Sequence, residues 1–544
     1  MSNKNFFIPF FIVLLSIIPL LDLFHSGLPQ THDGQDHVAR IANFYRNLSE
    51  GNIIPRWAGN LNWGYGHPIL MFLYPLPSYA ASLFHFLGFS LIDSTKIVFG
   101  FAFLISGLTM YLWTKNLFGS HAGMVAGILY MFAPYRFVDL YVRGAIGEHV
   151  AFIFPPLICY FLYKLSKKYS HFFIVGGGLS LTGLLLSHNA ISLMFLPIIL
   201  LYGMYLFYSS KNLKSYILSL ISLLLLGLGL SAFFWVPAFF EGKYTLRDIV
   251  TEGEYASRFV SLEQFLYGPW SFGGTGQFSV QLGIVHWMII VGSVVLLFFK
   301  KTVKEHKKFI VGLLLVTIIA LFLMISQSSF LWQNISLLQK FQFPWRLLSL
   351  VVFSSALLGA LVVSAVPKNY KKYAVGIFIF VVLFFSKDYM HAKGYLYKDD
   401  SFFSGIYNGT TDTGESSPIW SVRFMEKEPK SHIEILDGKA TIKEMERKNT
   451  NHTYKIFAVD NTKFRENTLY FPGWSIIVDG KTVPIEFQDP NSRGLITFYV
   501  PKGEHIVLAS FGETKLRFFA DIITLMSIVG VLAFLSLGRL INKL

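Results

Sequence analysis

"FFIPFFIVLLSIIPLLDLF", residues 6–24, carries a single charge, Asp22, close to its end. A helix needs about 20 apolar residues to cross the roughly 30 Å of hydrocarbon in a bilayer, and this run comes close to that length. "YILSLISLLLLGLGLSAFFW", residues 216–235, reaches it without any charge. Further runs of this kind recur along the 544-residue chain, which is 53% hydrophobic, 17% aromatic and only 14% charged. That composition is too apolar for a soluble domain and specifies an α-helical polytopic membrane protein. The first run is long and no small-residue cleavage pattern follows it, so it reads as a retained helix and not as a signal peptide.

The net charge of +14 would suggest nucleic acid in a soluble protein. Here the lysines stand in short clusters between apolar runs, which is the positive-inside pattern and excludes a phosphate groove for nucleic acid. The clusters are Lys115; Lys164, Lys167 and Lys168; Lys211 and Lys214; Lys300, Lys301, Lys304, Lys307 and Lys308; Lys368, Lys371 and Lys372; and Arg539 with Lys543. The lone cysteine, Cys159, lies in an apolar run, so disulfides and thiolate metal sites are excluded.

If all these clusters face the cytoplasm together with Lys4, about twelve spans and two cytoplasmic termini follow. "HPILMFLYPLPSYAASLFHFLGF", residues 67–89, is long enough to be a further span, but three prolines crowd its first half. Proline breaks the internal hydrogen bonds that lipid makes obligatory, so the segment is expected as a broken juxtamembrane or re-entrant element. The membrane part is expected over 1–389, with outer loops 26–92, 136–148, 241–279 and 327–345. From 390 to 515 the pattern changes to short alternating runs bounded by Asp-Gly, Pro-Gly and Lys-Gly, such as "TLYFPGWSIIVDGKTVPIEF" at 468–487. This predicts an extracytoplasmic antiparallel β domain of sandwich type, tied back to the membrane by a last helix within 516–544.

The predicted topology gathers the unusual polar residues on the outer face. The densest group is "PQTHDGQDHVARIANFYR", residues 29–46. A helix begun at Asp33 would set Asp33, Asp36, His37 and Arg40 on one face at i, i+3, i+4 and i+7, with Ile41, Phe44, Tyr45 and Leu48 as an apolar stripe on the membrane surface. Asp33 could equally be an N-cap, Asp36 a partner of the helix dipole, and His37 and Arg40 their ion-pair partners. The outer face has no nucleotide-sugar pool, so a reaction there calls for a donor carried in the bilayer, such as a sugar on a polyprenyl phosphate. An aspartate could take the proton from an acceptor hydroxyl, and Arg136, Arg143 or Arg346 could meet the departing phosphate with their planar guanidinium forks.

The stretch "HDGQDHVARIANFYRNLSEGNIIPRWAGNLNWGYGHPILMFLYPLPSY", residues 32–79, resembles the first outer loop of the YfhO-like bacterial membrane proteins, also labelled "6-pyruvoyl-tetrahydropterin synthase-related". "APYRFVDLYVRGAIGEHVAFIFPPL" (133–157), "FQFPWRLL" (341–348), "YFPGWSIIVDGK" (470–481) and "VPKGEHIV" (500–507) extend the likeness over most of the chain. No soluble pterin-enzyme pattern is present. These proteins resemble GT-C class glycosyltransferases. The resemblance implies a GT-C-like fold and transfer of a sugar, with inversion, from a polyprenyl-phosphate donor to a cell-surface polymer, glycolipid or protein acceptor. It also implies an essential acid in the first outer loop, where Asp33 falls by motif, and a second acidic position, where Glu148 falls by location. This sequence reads Asp-Gly-Gln-Asp where the class has closer acidic pairs, leaving Asp33 and Asp36 both open as the base.

Arg143 and Glu148 flank Gly144 and Gly147, which suggests a turn bringing backbone close to a neighbour; an Arg143–Glu148 salt bridge bracing the loop is the plainer account. His188, between two apolar runs, can reach the outer cavity, and capping by Ser187 or Asn189 would explain its neighbours. Trp63, Tyr65 and Tyr74 suit either sugar stacking or an interfacial belt. Asp33, Asp36 and Glu148 could hold a divalent ion or serve base and hydrogen-bond roles. The rival classes are a lipid or polysaccharide transporter, which should bury charges at mid-membrane, and a noncatalytic surface scaffold. "GGTGQ" at 273–277 lacks the Lys-Ser/Thr of a phosphate loop.

Overall fold

The computed structural model describes residues 4–210, 212–268, 270–273, 278–299 and 306–541. Lys211, Lys300, Lys301, Lys304, Lys543 and most of "GGTGQ" lie outside the described residues.

The membrane part is built from packed apolar helices. Among the described residues, eight are long and apolar enough to cross a bilayer, or nine if the bent pair Ser120–Met131 and Pro134–Val142 forms one span. Three shorter apolar helices, His171–Leu185, Ile284–Phe299 and Lys371–Ser386, accompany them.

Helix Leu348–Ser364 is the centre of this bundle and is buried nearly throughout. Its Ser354, Ser355, Ala356, Gly359 and Ala360 let neighbours come close: a Cβ at Gly359 would meet Leu129 Cδ1 at 2.3 Å. Small residues are how membrane helices gain van der Waals contact where lipid offers no hydrophobic drive. The last helix, Lys515–Ile541, stands at the periphery and packs on Ala232–Phe240 and Leu213–Leu230.

Residues 67–89 break as their prolines require, into Ile69–Phe72 and Leu76–Phe86. Pro134 likewise follows the 48° bend after Met131, and the chain then closes a π-helical turn over Val138–Val142. Such turns are rare and often mark functional positions.

Two antiparallel sheets form the C-terminal region. One holds five strands in the order Ala440–Arg447, Asn451–Ala458, Gly503–Phe511, Trp474–Val478, Lys481–Val483; the other holds Ile433–Asp437, Thr462–Leu469 and Leu495–Val500. The two-residue turn Asp479–Gly480 has φ of 51° and 81°, the left-handed pair that a tight hairpin needs and that Asp-Gly supplies. Tyr454 and Ile456 of the first sheet and Phe464 and Phe498 of the second share one core. That core also takes in Trp57, Met71, Phe72 and Phe234, so the β region is fused to the loops of the membrane part.

Helix Gly34–Ser49 differs from its expected place on the membrane surface. Ile41, Ala42 and Phe44 are buried, because Leu76–Phe86 covers one side, Leu91–Phe118 another, and Asp400–Ser404 closes over it. Its apolar stripe therefore meets protein.

Candidate active site

The helix N-terminus is fixed by its neighbours before its own side chains act. The backbone N–H groups of His32 and Asp33 donate to the carbonyls of Val142 and Arg143 at 3.0 and 2.8 Å. This joint needs close approach: a Cβ at Gly144, where φ is +69°, would sit 2.3 Å from Thr31 Oγ1. Thr31 Oγ1 in turn accepts from Gly34 N at 3.1 Å.

That last bond decides the state of Asp33. Asp33 occupies the N-cap position but its side chain accepts no capping bond. Thr31 has taken over the task, and the half-buried Asp33 carboxylate makes no hydrogen bond or ion pair among the described residues. A carboxylate at a helix N-terminus without a local donor is free to accept from something else.

Asp36, one turn on, is engaged: the Tyr407 hydroxyl donates to its Oδ1 at 2.7 Å. Burial pushes the Asp36 carboxyl above its ordinary value, against the lowering effects of that bond and of Arg40. Arg40 is bound to the segment that returns from the C-terminal part, with Nε donating to Thr411 Oγ1 at 3.2 Å and Nη2 to the Thr411 carbonyl. Its Nη1 donates to His37 Nδ1 at 2.9 Å. Burial, with Arg40, Arg143 and His188 nearby, drives the His37 pKa far down. The ring is therefore neutral with its proton on Nε2, and that buried nitrogen has no partner among the described residues.

Glu148 is the opposite of Asp33. Fully buried, its Oε1 lies 2.9 Å from Arg143 Nη2 and 2.7 Å from Arg346 Nε, while its Oε2 accepts from the Tyr135 hydroxyl at 2.7 Å. Arg143 also bonds Asp139 at 3.0 Å and lies over the Trp345 ring at 4.5 Å. Arg346 reaches the Phe341 carbonyl at 2.9 Å. His188 Nε2 stands 3.7 Å from Glu148 Oε1, and its Nδ1 accepts from Ile191 N at 3.3 Å. His188 itself caps the following helix, the role that sequence gave to Ser187 or Asn189.

Tyr74 lies between the two groups. It stacks on His188 at 4.9 Å, and both Asp33 and Glu148 act electrostatically on its hydroxyl, which burial holds above its usual pKa. Gly147 makes this possible, since a Cβ there would fall 2.1 Å from the Tyr74 ring. Phe272 and Phe278 stand on the far side, with His32 Nε2 2.8 Å from the Phe272 carbonyl and Phe278 packed on Trp345.

The structure thus brings together Asp33, Asp36, His37, Arg40, Arg143, Glu148, His188 and Arg346. Arg136 is placed apart: its guanidinium lies 4.0 Å over Phe152 and reaches Ser106 Oγ at 3.2 Å. Asp33, Asp36 and Glu148 do not converge as a ligand set. Among the described residues no group of three His, Cys, Asp or Glu side chains could hold a metal ion, since Glu148 is given over to its two arginines. Sequence reasoning missed Thr31, Tyr135, Tyr407 and Thr411. Tyr407 and Thr411 lie 371 residues from their partners, a separation that leaves no local signal.

A family model described as a 6-pyruvoyl-tetrahydropterin synthase related domain of membrane proteins matches residues 70–391, more than half of the chain. An uncharacterized protein of Lactococcus lactis subsp. cremoris (strain MG1363) is 29% identical over 248 residues, covering 43% of this chain and 40% of that protein. Among solved structures, arabinofuranosyltransferase AftD from Mycobacteria aligns with a TM-score of 0.43 at 13% identity, covering 71% of this chain and 26% of AftD. ArnT from Cupriavidus metallidurans, bound to undecaprenyl phosphate, aligns at 0.35 and 11% identity, covering 69% of this chain and 63% of ArnT. The Archaeoglobus fulgidus oligosaccharyltransferase, complexed with Zn and sulfate, aligns at 0.37 and 12%, covering 73% and 53%. The chain spans less than two thirds of the length of each of these proteins.

Proposed function

This chain belongs to the family of 6-pyruvoyl-tetrahydropterin synthase related membrane proteins, and from that premise we propose that it is a membrane glycosyltransferase. In this reading it moves a sugar from a polyprenyl-phosphate donor to a cell-surface acceptor on the extracytoplasmic face, with inversion. The observation that carries the reading is the Asp33 carboxylate: it sits at a helix N-terminus, half-buried, with its capping duty performed by Thr31 and no partner of its own among the described residues.

Asp33 is the general base. As the acceptor hydroxyl attacks the anomeric carbon, its proton passes to an Asp33 oxygen and the bond from that carbon to the phosphate oxygen breaks, leaving the electron pair on the phosphate. Arg143 and Arg346, whose guanidinium groups meet on Glu148, are the cations this reading assigns to that developing charge. Glu148 fixes both guanidinium groups and does no proton chemistry. The neutral His37, with an unpartnered Nε2–H, and the Tyr74 hydroxyl supply further hydrogen bonds for sugar or phosphate. Asp36 is the weaker candidate for the base because Tyr407 already occupies it.

The test is chemical analysis of lipid-linked sugars and surface polymers in cells whose only copy carries Asp33→Asn. Accumulated donor and an undecorated polymer, with the protein inserted at wild-type level, are expected. Wild-type decoration by that variant would end the assignment of Asp33.

A further inference from the structure

A cavity of about 300 Å³ opens at the other end of the helix Gly34–Ser49, between the loop Trp57–Gly66 and the β region. Arg46 stands at its rim, thirteen residues from Asp33, which at 1.5 Å per residue is roughly 20 Å along the helix. The size falls at the lower limit of the about 300–1,000 Å³ typical of small-molecule sites. The transfer reading above makes no use of it.

Each lysine and arginine around this cavity is paired with a carboxylate. Arg46 Nε lies 3.0 Å from Glu50, Arg447 Nη1 2.9 Å from Glu466, and Lys448 Nζ 2.7 Å from Glu446. His432 meets Glu444 at 2.7 Å. Here each cation is already matched, so the cavity offers no net positive charge to an acidic ligand.

What it does offer is hydrogen-bonding capacity. Asn449 gives its backbone N–H to Glu50 at 2.8 Å and accepts Gly59 N on Oδ1 at 3.1 Å, leaving its buried Nδ2 without a partner among the described residues. His452 donates from Nδ1 to Glu466 at 2.9 Å; burial lowers its pKa and keeps the ring neutral, so Nε2 is an acceptor. Tyr65 contributes an aromatic ring to the wall, and Gly64 and Gly66 expose backbone beside it. Donors, acceptors and a ring without net charge suit a ligand with many hydroxyls and apolar ring faces.

We infer that this cavity binds an uncharged saccharide unit, as a second, noncatalytic carbohydrate site shared by the N-terminal loop and the β region. Hydroxyls of the sugar pair with Asn449 and His452 while a ring face rests on Tyr65. The site does not depend on the role of Asp33.

Full-length protein in lipid nanodiscs, free of sugar-headed detergent, is titrated with maltohexaose, cellohexaose and chitohexaose, with hexagalacturonate and polyglycerol phosphate as acidic counterparts. Hydrogen–deuterium exchange maps the contact and tryptophan fluorescence reads the affinity. At least one uncharged probe is expected to saturate and to slow exchange at 57–66 and 446–452. Tyr65→Ala should weaken it at least fivefold, and Ile406→Trp, at the mouth, should remove the protection. The exchange map on unaltered protein stands even if a variant misfolds. Absence of protection by all three uncharged probes, protection confined to other segments, or preference for the acidic probes would each overturn the inference.

Discussion

Asp33 and Glu148 are both acids of the same polar cluster, yet among the described residues one has no partner and the other touches two arginines, a tyrosine and a histidine. A fully buried carboxylate exists as an ion only where cations and donors surround it, so the enclosed position of Glu148 dictates its bonds. Asp33 keeps contact with solvent and can remain charged without them. Partners therefore separate a carboxylate that holds structure from one available for chemistry, although sequence gave both a place in the same cluster.

The widest consequence of this contrast is expected from Glu148→Gln. Buried Arg346 would lose its anion and Arg143 would keep only Asp139, at a cost of about 3–5 kcal/mol. Yield, melting temperature and sugar transfer should all fall, and a stable, active variant would break the contrast. Asp33→Asn should lower transfer by roughly 10²–10⁴-fold, the usual range for a general base, while the melting temperature stays at the wild-type value. Asp36→Asn keeps an acceptor for the Tyr407 hydroxyl and should lower turnover on the order of tenfold or less, the equivalent of one hydrogen bond. Equal losses at both aspartates would mean that they act as one unit.

A smaller effect is expected from pH. The folded protein depresses the His37 pKa, so the neutral ring's contribution to stability is complete above the unfolded value near 6.5 and is lost as the pH falls below it. A protonated Nδ1 can no longer accept from Arg40. Melting temperature should fall between pH 6.5 and 5, and His37→Gln should reduce the slope. Smallest is Thr31→Ala, which removes the acceptor of Gly34 N for about 1 kcal/mol. The freed N–H then draws the Asp33 carboxylate into capping, so transfer drops as well, whereas Thr31→Ser restores both.

The membrane class, the break at 67–89 and the β turns were legible because each rests on a local pattern: length of apolar run, proline, Asp-Gly. The start of the helix after Asp33 was legible for the same reason. The enclosure of that helix was not, since Asp400–Ser404 covers it from more than 350 residues away. Arg136 was indistinguishable from Arg143 by type and place, and only the bend before Pro134 and the π-turn after it turn one to Phe152 and the other to Glu148. Nor did spacing tell which oxygen caps the helix, because Thr31 and Asp33 are both good acceptors two residues apart and Gly144 selects between them.

Asp36 and Arg40 both take partners from residues 407 and 411, made by the ribosome long after the helix that needs them. A nascent chain whose membrane helices are already inserted up to Ser386 would still hold an unfinished cluster, with Arg40 unlatched and Asp36 bare. Docking of the C-terminal segment is thus the step that completes the cluster, and a chain cut short before residue 407 would leave both side chains without these partners.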